Sequence, residues 1–173
     1  MSTRLDLSTL SLMDALDLAK LIEMEACHRY QMFAQQIGTV GDYDAGGFFA
    51  SMAENEAKHG QEIEERRKKL FGDAPAKVSL DDLYDVEAPE MGEVRRDMSV
   101  LDAFKVGLAA EQKAYDFYND ALPGITDPEV IELFTELRDE DTEHVEMLEA
   151  AMAKLPASAS EKVEFDVDET PYL

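Results

Sequence analysis

Apolar residues recur along the chain at three- and four-residue intervals in four long segments, a spacing that predicts amphipathic α-helices. The first covers residues 11–37, or starts as early as 8. Ser11 and Asp14 form a capping box at its start, and Gly38 supplies its stop. The second covers about 44–71. Arg66, Arg67, Lys68 and Lys69 lie at the negative end of its dipole, and Gly72 and Pro75 end it. The third covers 99 to about 122, with Ser99 as its cap, Asp102 three residues on, and Pro123-Gly124 as the break. The fourth begins at Asp127, places Pro128 at its first helical position and closes near 155, before Pro156. Strand-like alternation is confined to Val163, Phe165 and Val167 in the tail.

The joints decide the topology. Residues 38–42 and 123–126 are too short for anything but antiparallel hairpins. The intervening segment, 73–98, is much longer. A helix of about 27 residues is about 40 Å long at 1.5 Å per residue, and this segment can cross that distance. The expected fold is therefore all-α: a ferritin-like four-helix bundle, two antiparallel α-hairpins joined by a long crossover rather than an up-down-up-down bundle. Residues 79–84 are expected to add a short helix within the crossover. The bundle domain is placed at 1–155, and 156–173 is read as a frayed acidic tail.

In such a bundle the informative polar residues are those on the buried stripes. Glu23 falls between Ala19 and Tyr30 on the first stripe, which ends at Ala34 and Ile37. Glu56 and His59 fall between Met52 and Ile63 on the second, which ends at Leu70. Glu111 falls between Leu108 and Tyr115 on the third, and Asp141 and His144 between Leu137 and Leu148 on the fourth. Glu25, Glu54 and His28 lie off the stripes. A buried ionised carboxylate is costly unless it is paired or binds a metal. Here each helix carries one acid near its middle, and two helices add a histidine three residues later, on the same face. Two divalent metal ions would resolve the charge. The pattern also repeats. Glu23 and Tyr30 match Glu111 and Tyr118; Phe49, Glu56 and His59 match Phe134, Asp141 and His144. Two similar hairpins about a pseudo-twofold axis would build a nearly symmetric dimetal site. The competing readings are core acids paired with Lys20 or Lys113 and solvated acidic helix faces.

Composition narrows the partners. The 173 residues carry 16 Lys+Arg against 39 Asp+Glu, a net charge of −23, which argues against nucleic acid or an anionic membrane and favours cations. No apolar run approaches a bilayer span, and no signal peptide is read at the start, so the expected location is cytoplasmic. One cysteine, Cys27, excludes an intrachain disulfide, a Cys-rich zinc site and a four-cysteine iron site.

Residues 11–155 resemble the ferritin-like domain of rubrerythrins. Ile22-Glu23 through Arg29-Tyr30 is similar to that family's first helix, Ala53 through His59 to its second, Ala109-Ala-Glu111 to its third, and Asp141-Thr-Glu-His144 occupies the fourth. The resemblance implies two iron ions, with manganese or zinc as possible substitutes. Their ligands would be Glu23, Glu56, His59, Glu111, Asp141 and His144, with Glu56 and the fourth-helix acid as bridges. Tyr30 and Tyr118 would orient the carboxylates. It further implies a homodimer that reduces hydrogen peroxide or oxidises ferrous iron with dioxygen, or else a non-catalytic iron-binding and delivery module. The sequence departs from the family pattern in three ways. No rubredoxin-type domain is read, so electrons would come from a separate protein. The further third-helix Glu of peroxide-reducing rubrerythrins falls at Ala114. The fourth helix has Asp141 in place of Glu, one methylene shorter, with Glu140 as an alternative ligand.

Overall fold

The computed structural model describes residues 7–79 and 98–161. Four helices dominate: α1 (Leu12–Gln36), α2 (Ala45–Phe71), α3 (Val100–Ala121) and α4 (Pro128–Met152). Each starts at a side chain that satisfies an otherwise orphaned backbone N–H. Ser11 accepts from the Asp14 amide, Asp44 from Gly47, Ser99 from Asp102 and Asp127 from Glu129. These are the starts read from the sequence. α2 stops at Gly72, whose φ of 59° lies in the left-handed region.

Each hairpin packs tightly on itself, α1 against α2 and α3 against α4. The α1–α2 joint holds an element the hydrophobic pattern did not predict. Thr39–Val40 (β1) pairs antiparallel with Tyr43–Asp44 (β2). Gly41, at φ 57°, supplies the positive φ that a two-residue hairpin turn needs. Gly46 lets α2 start against the end of α1, because a Cβ there would lie 2.3 Å from the Ile37 carbonyl oxygen.

The core is in two parts. One apolar cluster joins the first half of α1, including Leu16 and Ile22, to Ile63, Tyr118 and the first half of α4 around Phe134. The other joins Tyr30 and Phe33 to Phe49, Phe104 and Leu148 at the opposite end. α2 therefore ends at one end of the bundle while α3 begins at the other, which is the arrangement a crossover requires. Most of the crossover, including all but the first residue of the expected helix at 79–84, lies outside the described residues. The strand-like residues 163–167 do so too. Residues Ala157–Ser160 form a 3-10 turn that packs on α3 with Ala159 buried. Leu70, placed on the second stripe, is exposed, and its neighbour Phe71 packs on the first apolar cluster instead.

Candidate metal centre

Between the two apolar clusters lies a polar belt. Glu23, Glu56, Glu111, Asp141 and His144 are all buried there, and His59 is mostly so. The four helices each deliver a side chain from mid-length because the acid positions share the apolar stripe's period. Glu25, Glu54 and His28 face out, as their rotation requires. Small residues bring the helices close around the belt. A Cβ at Gly60 would touch Glu23 Cβ at 3.4 Å, and one at Gly107 would touch the Tyr30 ring at 3.4 Å.

Three sets of ligand atoms converge, each within 4.8 Å: Glu56 with His59 and His144; Glu23 with His59 and Glu140; Glu111 with Asp141 and His144. Glu56 thus lies between the two imidazoles, which face each other nearly parallel with ring centres 5.6 Å apart. His144 Nδ1 is 3.2 Å from Glu56 and 3.4 Å from Glu111. His59 Nδ1 is 3.8 Å from Glu23 and 3.7 Å from Glu140. Both Nδ1 atoms are shut off from solvent, and neither meets hydrogen-bond geometry with any protein group. Inward-facing imidazole nitrogens ringed by carboxylate oxygens make a donor set that fits Fe, Mn or Zn.

All six residues expected from the sequence as metal ligands are brought to the belt. The fourth helix brings two acids to the belt, in different groups. Asp141 joins Glu111 and His144, while Glu140 joins Glu23 and His59. Consecutive residues on a helix are rotated by about 100°, so the pair straddles the stripe and reaches opposite sides of Glu56. Asp141 groups with His144 alone, so in this arrangement Glu56 is the acid that stands between both histidines. The alternative pairing of Glu23 with Lys20 is not observed, because Lys20 pairs with Glu64 at 3.1 Å.

Electrostatics follow the burial. Burial lowers the His59 pKa, and the neighbouring His144 lowers it further. For His144, burial again opposes protonation, but Glu111, Glu23 and Glu140 outweigh it and leave the pKa raised. Glu140 is raised by partial burial, with Glu136, Glu62 and Glu143 adding to the effect against His144. The Tyr30 hydroxyl donates a short hydrogen bond to Glu111 Oε1. Burial and that carboxylate hold the phenol well above its ordinary pKa. Tyr118, its counterpart by the internal repeat, is buried and packs edge-to-face on Phe134.

The family profile described as Rubrerythrin matches residues 14–152, which include every residue of the belt. The chain belongs to the rubrerythrin family. The four-helix, ferritin-like architecture agrees with a crystal structure of a conserved, uncharacterized protein from Magnetospirillum magnetotacticum. The two share 26% identity with a TM-score of 0.71, over 85% of this chain and 97% of that one. No curated protein matches. Among the described residues, no helix of this rubrerythrin is long and apolar enough to cross a membrane.

Proposed function

We propose that this protein is a di-iron oxidoreductase that consumes hydrogen peroxide or dioxygen. The observation that carries this reading is the convergence of the buried belt acids and two inward-facing imidazole nitrogens on one level of a rubrerythrin-family bundle. A bound pair of ferrous ions would supply two electrons to the oxidant. The chain's own contribution is positioning. Glu56 stands between the histidines, and the remaining acids divide between two sides, offsetting cation charge in a core that would otherwise disfavour their ionised forms. His59 and His144 would each give an imidazole nitrogen to a cation, His144 after releasing the proton that its carboxylate neighbours favour. Tyr30 fixes Glu111 through its hydrogen bond. Phe33, Phe49 and Phe104 form an aromatic stack beyond Tyr30 that keeps water from that end of the belt. A separate protein would deliver electrons. A cytoplasmic homodimer completes the reading.

The test is anaerobic Fe²⁺ titration of the metal-free protein, followed by peroxide consumption with an electron donor. Two tightly bound irons per chain, and turnover lost in Glu56→Ala, are expected. One iron or none overturns the dinuclear reading. Two irons that pass to a chelator without turnover would assign the protein to iron storage or delivery, for which the charge of −23 would serve to gather cations.

A further inference from the structure

The two halves of the belt are unequal. Glu111, Asp141 and His144 are all buried, whereas the set on the other side includes the half-buried His59 and Glu140. Two surface depressions reach the belt. One, of about 400 Å³, lies between α1 and α2 and has Glu23 and Glu56 in its wall beside Gly60. The other, of about 150 Å³, lies between α2 and α4 and is walled by His59 and Glu140, with Glu62 and Glu136 farther out. Neither depression is lined by Glu111, Asp141 or His144. Resting on the dinuclear reading above, the geometry points to Glu140 as a seventh metal-binding residue, and to the Glu23–His59–Glu140 position as the exchangeable one of the two.

The reasoning is one of ligand supply and access. The internal repeat gives each side one histidine and one acid from α1 or α3, with Glu56 between. The His144 side gains Asp141 as a further acid from α4. Without Glu140, the His59 side would be one carboxylate short of the His144 side. Glu140 fills that shortage. Its Oε2 is 3.7 Å from His59 Nδ1, and its side chain is 39% exposed, where those of Glu56 and Glu111 are 3% and 4%. A ligand with one face in a water-accessible depression can leave and return without opening the core. The Asp141 side has no such freedom. Glu136 at the outer wall is already engaged by Arg66 at 3.2 Å, which leaves Glu140 as the inner acid to receive a cation.

The experiment uses Co²⁺ alone as the probe, added anaerobically to the full chain and followed by its visible absorption. The wild type should show two binding events of different affinity. Glu140→Gln should weaken the looser event by at least about tenfold, the lower end of the effect of removing even a supporting partner, and leave the tighter one unchanged. Asp141→Asn should strike the tighter event instead. Glu136→Gln, in the same depression but outside the ligand sets, should change neither. Fewer than two Co²⁺ in the wild type would overturn the dinuclear reading itself. Two events, both unaltered or both equally weakened in Glu140→Gln, would overturn only the metal-binding role of Glu140. The melting temperature of metal-free Glu140→Gln, expected at or above that of the wild type because a crowded acid is removed, confirms that the variant is folded.

Discussion

Single side chains carry most of the chemistry, and two of them make direct predictions. Tyr30 is fully buried and its hydroxyl has one use, the hydrogen bond to Glu111. Tyr30→Phe leaves a buried carboxylate oxygen without that donor. It should lower the stability of the metal-free protein by about 1.5–3 kcal/mol, read by urea denaturation, and weaken metal binding on the His144 side before the His59 side. Cys27 borders the depression between α1 and α2, with Gln31 donating to its sulfur at 3.3 Å. Burial raises the thiol pKa, and the Glu23 charge raises it further. A raised pKa means less thiolate at any given pH, so alkylation by iodoacetamide should run slower than that of free cysteine at pH 8. Its pH midpoint should lie above the ordinary thiol value. Glu23→Gln removes one of the two causes and should move that midpoint down. No change in Glu23→Gln would show that burial alone sets the thiol.

At the scale of the elements, the helix starts were legible because capping is local. A Ser or Asp side chain and the amide two or three residues on are enough to define it. Ser99→Ala should accordingly cost about 1 kcal/mol, measured as a fall in Cm with the urea m-value unchanged. The β1–β2 hairpin was not legible: two residues per strand give no alternation to detect, and only Gly41 signals the turn. Gly46→Ala tests the same joint from the other side. Its methyl group would collide with the Ile37 carbonyl oxygen, so a loss of at least about 1–3 kcal/mol is expected, with the melting temperature as the readout. Phe33, fully buried though not among the residues assigned to the first stripe, fits the same three- and four-residue spacing between Tyr30 and Ile37. The convergence of six belt residues was legible because acids and histidines on an apolar stripe stand out. The separate placing of Glu140 and Asp141 was not, because it depends on how far α4 is rotated about its axis, and tertiary packing sets that. Arg67 is a similar case. Its sequence position suggests only a helix-end cation, yet it reaches Asp17 on α1 at 2.9 Å while also donating to the Gly72 and Ala74 carbonyls. It ties the end of α2 to α1 and to the chain that leaves the hairpin.

At the scale of the whole molecule, the decisive feature is the belt that separates the two apolar clusters. Each cluster draws on both hairpins, so each is able to hold its own end of the bundle. What lies between them is the layer of buried acids and imidazoles, polar groups whose burial is costly unless they are paired or bind a metal. Unfolding of the metal-free chain should therefore lose its all-or-none character. Calorimetry should give a van't Hoff enthalpy below the calorimetric one, and hydrogen exchange should open the amides around Glu23, Glu56, Glu111 and Asp141 below the free energy of global unfolding. Filling the belt should restore a single transition at higher temperature, by mass action on the folded state. Cations in the belt would then act as a keystone, deciding whether the two ends of the bundle melt as one body or as two.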